Sequence, residues 1–346
     1  MNNDYFFDPR GMDLINKDGI WYGKQGNYWS YISQKEHSLF AQHLREESAY
    51  EVMKKYFPQH EEEFSSPGRM GGVASLNISK DDVILDAGCM WGAVTIPLAR
   101  TGAKIFAIDQ TEQSLLFLKR RKQDEGLTNL EIICADLNQQ KLQEQFYTKV
   151  IVNDVLEWIP CIDDFEANSS ENKHQKGKKH SASPYEMQKN FLKKMHDSLK
   201  EGGTLYLAIE NRYNLSYFLG LPESHCNIRF FSILPRFAQD IVHSVLRGSK
   251  FRNWTYSKTG LRNLLKRAGF KNIKISYAFP GHRNPVIVLN NLNLKEFYQY
   301  FYHPYSSLLG DKLWFMKILI RGMEFIFYKT LKLMFFSPSF VIHAEK

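Results

Sequence analysis

The sequence predicts an α/β protein built on a doubly wound, mostly parallel sheet. Between residues 83 and 210, short apolar runs alternate with stretches of helical periodicity. Strands of a parallel sheet are buried on both faces and are usually joined by helices, so this alternation is typical of that fold. Acidic residues at the ends of several runs are a second indication, because such sheets bind ligands at their carboxyl ends. The runs are VILDAG, KIFAID, LEIICAD, KVIVNDV and TLYLAIE.

The first 72 residues are predicted to form an N-terminal flap and a helix. Residues 1 to about 35 are polar and aromatic with several glycines, which indicates an irregular segment. Apolar residues recur at helical spacing over 38–57, and 58–72 is rich in charge, glycine, proline and serine. We therefore expect one helix followed by a connection into the core.

The remaining chain divides into core segments and insertions. Further helices are predicted up to residue 100 and over 112–123, 184–199 and 257–268. The stretch 211–254 is too long for a simple connection, so we expect a helical cap there. The predicted segments are a core over 73–210, a cap over 211–254, the end of the core over 255–290, a helical insertion over 291–336 and a last strand over 337–346.

Charge and cysteine content limit the partners and the compartment. The net charge of +8 suits an acidic partner but does not identify one. The lysine-rich stretch 163–183 is predicted to be a surface loop, or alternatively a basic lid that attracts an anionic ligand. The four cysteines lie far apart without ligand spacing, so we expect no metal centre, no disulfides and a cytoplasmic location. No secretory signal is evident at the N-terminus.

Residues 311–336 are strongly apolar but interrupted by charge. Lys317, Arg321, Glu324 and Lys332 leave no run long enough to span a bilayer. Their spacing places them on one stripe of a helix. Two interpretations stay open, a helix packed in the core or in a dimer, and a peripheral contact with the inner membrane face.

Ligand-binding residues are expected where the predicted strands end. After the first strand, the glycines of Asp86-Ala87-Gly88-Cys89-Met90-Trp91-Gly92 allow a sharp turn and close approach of a ligand. Asp86 would accept hydrogen bonds from that turn or from an ammonium group of the ligand. Asp109, followed by Gln110, ends the second strand at the offset where a carboxylate meets the hydroxyls of an adenosine ribose. A nicotinamide dinucleotide is disfavoured, because Gly88 and Gly92 do not complete its glycine fingerprint.

The third and fourth strands also end in polar residues. Asp136, followed by Leu137, is suited to the exocyclic amine of adenine, and Asn153 and Asp154 end the fourth strand. A single strand-end aspartate is often only a turn or capping residue. Polar residues at the ends of four neighbouring parallel strands would lie at the same edge of the sheet, and together they predict an adenosine-containing ligand.

These motifs resemble those of the class I methyltransferases, which use S-adenosylmethionine. VILDAGCMWG is similar to the family's glycine motif, AIDQ to its ribose motif and CADL to its adenine motif. The resemblance covers roughly residues 75–279 and implies a seven-stranded sheet with Asp154 beside the sulfonium. The family usually has a third glycine where Met90 stands.

A narrower resemblance covers nearly the whole chain. Asn153-Asp154-Val155-Leu156-Glu157-Trp158, the stretch LGLPESH and the terminal SPSFVI are similar to bacterial methyltransferases of cell-envelope polysaccharide and glycosylation genes. This implies a cap above the site and methylation of a hydroxyl on a sugar or glycan-type acceptor. For such an acceptor, His225 is the leading candidate base and Glu210 the alternative, while Asn211, Arg212 and Arg236 are candidate acceptor-binding residues.

Three other functions stay open. Methylation of nucleic-acid amines is not expected, because the fourth strand lacks the Asn/Asp-Pro-Pro-aromatic motif, although an RNA ribose acceptor is still conceivable. A lipid-linked acceptor would suit a membrane contact through 311–336. The third alternative is a non-catalytic protein that binds S-adenosylmethionine. The oligomeric state is not indicated.

Overall fold

A ten-stranded mixed sheet organises the fold. The structure, a computed structural model, describes residues 11–26, 34–61, 67–161, 182–290, 322, 326 and 334–346. In chain order the strands are β1 (Ile15–Lys17), β2 (Ile20–Tyr22), β3 (Val83–Ala87), β4 (Lys104–Asp109), β5 (Leu130–Cys134), β6 (Tyr147–Asn153), β7 (Leu199–Glu210), β8 (Lys271–Phe279), β9 (Ile287–Leu289) and β10 (Ser339–Glu345).

Seven of these strands form the predicted sheet, in the spatial order β5-β4-β3-β6-β7-β10-β8. The first five pair in parallel, whereas β10 is antiparallel to both of its neighbours. The predicted count of seven is nevertheless too low. The hairpin β1–β2 adds two strands beside β5, and β9 extends the other edge. The expectation of an irregular segment before residue 35 is therefore wrong for residues 15–22.

Eight helices of the described residues flank or cover the sheet. They are α1 (Gln34–His43), α2 (Ala49–Tyr56), α3 (Thr95–Ala99), α4 (Glu112–Asp124), α5 (Pro184–Ser198), α6 (Leu215–Phe218), α7 (Arg236–Arg247) and α8 (Lys258–Arg267). The single helix predicted over 38–57 is wrong, because Ser48 starts a second helix there. Its side chain accepts from the Glu51 backbone while the Glu51 carboxylate accepts from the Ser48 backbone, a reciprocal cap.

The core lies on both faces of the sheet. All five residues of β3 are buried; Val83 and Leu85 join one apolar cluster and Ile84 joins the other, as alternation along a strand requires. The segment 211–254 has its own small apolar cluster around Cys226, Phe231 and Phe251. We call this segment the cap.

Several predicted features fall outside the described residues. These are most of the lysine-rich stretch 163–183 and nearly all of the predicted insertion 291–336, including the proposed membrane contact. Among the described helices, none has the length and apolar character needed to cross a bilayer.

Candidate active site

The turn after β3 needs its glycines for both conformation and space. Gly88 and Gly92 have φ of 85° and 82°, in the left-handed region that favours glycine. A Cβ on Gly88 would lie 2.4 Å from Val155 Cγ2, and one on Gly92 would lie 2.3 Å from Leu118 Cδ1. Met90, where a third glycine is usual, also has a positive φ of 44°. Its backbone N–H donates to Asp109 Oδ2 at 2.9 Å, which stabilises the turn.

Two buried carboxylates lie at the ends of β3 and β4. Asp86 accepts a hydrogen bond of 2.6 Å from Thr95 Oγ1. Burial raises the pKa of Asp86 to about 6; the Thr95 hydroxyl opposes this shift and the charge of Asp109 adds to it. Asp109 also accepts from the Thr111 backbone N–H at 2.9 Å, so each of its oxygens holds one backbone group. Burial raises the pKa of Asp109 as well.

The carboxylate of Asp136 is bonded within its own turn. It accepts from the Asn138 backbone N–H and from Gln139 Nε2, both at 2.7 Å. Its backbone N–H donates to the carbonyl oxygen of Lys24, so the N-terminal segment covers this corner. Leu137, the next residue, lines the cavity described below. A contact of Asp136 with adenine stays a prediction.

Asp154, directly after β6, carries the most strongly paired carboxylate near the site. Its Oδ1 lies 2.9 Å from His282 Nε2 and its Oδ2 lies 2.6 Å from Arg283 Nε. Although burial opposes it, the Arg283 and His282 charges hold the pKa of Asp154 well below its usual range. Glu157 is fully buried beside it, and burial together with the Asp154 charge raises the pKa of Glu157 well above the usual value.

A cavity of about 400 Å³ opens where these strands end. Two of its wall residues, Gln110 and Asn153, each have a buried side-chain oxygen without a hydrogen-bond partner among the described residues. Buried polar atoms are normally satisfied, so these acceptors fit donor groups of a bound ligand. The cavity is lined by His60, Arg69, Asp86, Gly88, Cys89, Met90, Trp91, Ala93, Val94, Asp109, Gln110, Leu137, Asn153, Asp154, Val155, Trp158, Ile159, Ser224 and Arg283.

Most predicted donor-site residues are brought together on this wall. The exceptions are Ala87, Gly92 and Asp136, which do not line the cavity. Sequence reasoning missed the contributions of His60, Arg69 and Arg283, which come from segments before and after the core. No strand-end pattern marks those positions. Trp158 could have been predicted from its position, because it lies five residues after the end of β6.

The cap contributes a compact group of polar residues. Ser224 lines the cavity and donates to Glu210 Oε2 at 2.6 Å. His225 Nδ1 lies 2.6 Å from Glu223 Oε1 and 3.8 Å from Glu210 Oε2. The ring of Trp158 meets the His225 ring edge to face at 5.0 Å. The structure therefore places both candidate bases together, with Ser224 between Glu210 and the cavity.

The carboxylates around His225 favour its protonated form. Burial alone would lower its pKa, but the hydrogen bond to Glu223 and the charges of Glu210, Glu223 and Glu157 raise the pKa of His225 to about 10. An imidazole with that pKa already carries its proton at neutral pH. The arrangement therefore favours Glu210 over His225 as a proton acceptor.

The three candidate acceptor-binding residues are engaged inside the protein. Asn211 is fully buried and donates to the Phe335 and Ser337 carbonyl oxygens at 2.7 and 2.8 Å. Arg212 donates to the carbonyl oxygens of Ser232 and Leu234. Arg236 lies over the Trp254 ring, 4.5 Å from its centroid, and donates to Gln239 Oε1 at 3.0 Å. None of the three lines the cavity, so their role in acceptor binding stays a prediction.

Among the residues that the structure describes, two groups of side chains have distances suited to a metal ion. They are Asp154, Glu157 and His282, and Glu210, Glu223 and His225, whose ligand atoms lie within 4.8 Å of one another in each group. In both groups the histidine is already paired with a carboxylate. Neither group was predicted, because each is completed by a residue that is distant in sequence, His282 in the first and Glu210 in the second.

The strand order, the position of β10 antiparallel to both of its neighbours and the cavity at the strand ends together define the class I methyltransferase fold. Residues 84–170 match a family described as "Methyltransferase domain". Over these residues the chain is similar to that family, and the match supports the predicted cofactor, S-adenosylmethionine.

Curated relatives are similar over part of the chain. The mitochondrial ubiquinone biosynthesis O-methyltransferase of Rattus norvegicus is 24% identical over 141 residues, which is 40% of this chain and 33% of the relative. A probable cobalt-precorrin-6B C(15)-methyltransferase of Methanocaldococcus jannaschii is 31% identical over 65 residues, 19% of this chain and 36% of the relative. The match thus spans about a third of each relative.

Among solved structures, a SAM-dependent methyltransferase from Archaeoglobus fulgidus superposes with a TM-score of 0.41. It is 15% identical, and the alignment covers 84% of this chain and 100% of that one.

Proposed function

We propose that the protein transfers a methyl group from S-adenosylmethionine to a hydroxyl of a sugar or glycan-type acceptor. The observation that carries this proposal is the Ser224 hydroxyl on the cavity wall, hydrogen-bonded to Glu210 at 2.6 Å. It connects the space for an acceptor to a carboxylate through one hydroxyl. The name of the rat relative, an O-methyltransferase, and the resemblance to polysaccharide-gene methyltransferases support a hydroxyl acceptor.

The donor end of the cavity would be held by the strand-end residues. Asp109, at the end of β4, would accept from the ribose hydroxyls, and Leu137 would contact the adenine. Asn153 Oδ1 would accept from the ammonium group of the donor. S-adenosylmethionine supplies an electrophilic methyl group on a sulfonium, and the chemistry then depends on aligning an acceptor oxygen with it.

The acceptor hydroxyl loses its proton during methyl transfer, so a group in the site must accept it. In the proposed route it passes to Ser224 Oγ while Ser224 releases its own proton to Glu210 Oε2. Tyr217 also donates to Glu210 Oε2, at 3.2 Å, and fixes the carboxylate. Protonated His225, held between Glu223 and Glu210, would position both carboxylates without accepting the proton itself.

Donor binding and acceptor class are tested separately. Calorimetric titration with S-adenosylmethionine and, in parallel, with NAD should show binding of the first only. Formation of S-adenosylhomocysteine is then measured with nucleotide sugars, polysaccharide fragments, lipid-linked sugars and RNA. Turnover with RNA or only with lipid-linked sugars would replace the proposed acceptor class. Donor binding without turnover across the panel would favour a non-catalytic protein.

A variant of the proposed base gives the first prediction. Glu210→Gln keeps the shape but removes the charge, so kcat should fall about 10²- to 10⁴-fold while the donor Kd stays unchanged. Single-turnover kinetics at saturating donor provide the measurement. Glu186→Gln, in the half-buried first turn of α5, is the matched control and should behave like the wild type. Full activity in Glu210→Gln would remove Glu210 from this role.

A further inference from the structure

The outer side of α7 carries an apolar stripe that faces solvent. Phe237, Ile241 and Val245 follow one another at four-residue intervals, so they lie on one side of the helix. Their exposed fractions are 70%, 60% and 78%. Of the twelve residues of α7, only Gln239 is buried. The helix therefore packs on the cap along a narrow contact and leaves its apolar side uncovered by the described residues.

The surrounding surface enlarges this patch. Leu246 within α7, and Phe230 and Ile233 shortly before it in sequence, are also exposed large apolar residues. Seven of the thirteen exposed large apolar residues in the described part of the chain belong to the cap. Apolar residues scattered singly on a surface need no explanation, but a concentration of this kind indicates an interaction site.

The charge of the cap narrows the kind of partner. Residues 211–254 contain six arginines and lysines against two acidic residues, so they carry half of the net charge of +8. Arg247 is the last residue of α7, Lys250 follows the helix and Arg229 precedes it in sequence, and all three are exposed. An apolar stripe beside exposed cations is complementary to an anionic lipid surface, where apolar side chains enter the acyl boundary and cations contact phosphates.

We propose that α7 and its flanking cations bind the protein to an anionic lipid bilayer, with the helix lying in the interface plane. A second copy of the chain fits less well, because a two-fold contact through this patch would bring like charges together. The proposed surface differs from residues 311–336. It is also independent of the methyl-transfer proposal, because lipid binding is measured without donor or acceptor.

Cosedimentation with vesicles tests the proposal. The full-length protein should bind vesicles of phosphatidylglycerol and phosphatidylcholine, and binding should weaken in pure phosphatidylcholine or at high salt. Phe237→Asp/Ile241→Asp should lower binding at least tenfold. Leu39→Asp, at a comparably exposed position on α1, is the control and should bind like the wild type. Unchanged binding by the α7 variant would overturn the proposal.

Charge variants and a measurement of the oligomeric state test the proposal further. Arg247→Gln/Lys250→Gln should weaken binding about 30-fold, which corresponds to about 1 kcal/mol for each cation near an anionic surface. Phe325→Asp/Phe327→Asp should leave binding intact. Loss of binding only in that last variant would move the contact to the C-terminal segment. If Phe237→Asp/Ile241→Asp instead converts a dimer to a monomer in sedimentation equilibrium, the stripe is a contact between copies.

Discussion

The strand ends and the cap use their polar residues in opposite ways. At the strand ends, Asp109 and Asn153 line the cavity, and Asn153 has a buried side-chain oxygen without a hydrogen-bond partner among the described residues. In the cap, Arg212 and Arg236 donate to backbone and side-chain oxygens of the cap itself. Of the described cap residues, Ser224 is the one that lines the cavity.

This difference follows from how each region is stabilised. The strand ends belong to a sheet whose neighbouring strands fix the backbone, so their side chains are available for a ligand. The cap has only a small apolar cluster, and it needs polar contacts to hold its loops. An arginine in a cap is therefore weak evidence for acceptor binding when the segment has little core of its own.

The largest effect is expected at the strand ends. Asp109→Ala should raise the Kd for S-adenosylmethionine about 100-fold or more, because two charge-assisted hydrogen bonds of about 1.5 kcal/mol or more each would be lost. Isothermal calorimetry provides the measurement. Asp81→Ala, at an exposed position just before β3, is the control and should bind normally. Wild-type affinity in Asp109→Ala would contradict the assigned donor site.

The cap should respond in stability rather than in donor binding. Arg236→Ala removes the contact with Trp254 and the bonds to Gln239 and the Thr255 carbonyl oxygen. We expect the free energy of unfolding to fall by about 2–4 kcal/mol, because buried partners are left unsatisfied. The donor Kd should not change.

Urea unfolding of this variant is compared with that of Arg267→Ala, an exposed residue at the end of α8. The control should differ from wild type by less than about 0.5 kcal/mol. A large change in donor affinity with unchanged stability would assign Arg236 to the site instead.

The smallest effect concerns the pH dependence of the cap. The pKa of His225 is raised from its ordinary value of 6.5 to about 10 in the folded protein. Between pH 6.5 and about 10, the folded protein therefore keeps a proton on His225 that the unfolded chain has lost. The stabilisation by His225 is complete below pH 6.5 and is lost as pH rises towards 10. The free energy of unfolding should fall by at most about 1.4 kcal/mol per pH unit for this one group.

Comparing urea unfolding of the wild type and His225→Gln at pH 6.5, 8 and 9.5 measures this contribution. The difference in unfolding free energy should shrink as pH rises. A difference that does not depend on pH would mean that folded His225 is neutral, and it would then be available as a base.

Much of the core was predictable because its signals are local. The runs at β3 and β4 are continuous and apolar, and the turn at Gly88 has a glycine where φ is positive. The break at Ser48 was missed, although Ser48 and Glu51 form a recognisable capping pair. The hairpin β1–β2 has only three residues in each strand, too few for a periodic pattern.

The sequence by itself determined the central strands, the glycine turn after β3 and the acidic strand ends, because these depend on spacing along a short stretch of chain. Only the tertiary structure decided the roles of the side chains that meet from distant elements. His282 and Arg283 reach Asp154 from more than a hundred residues away, and Glu223 decides the protonation of His225. The charge state of a buried group depends on its neighbours in space, and those are fixed only when the chain has folded.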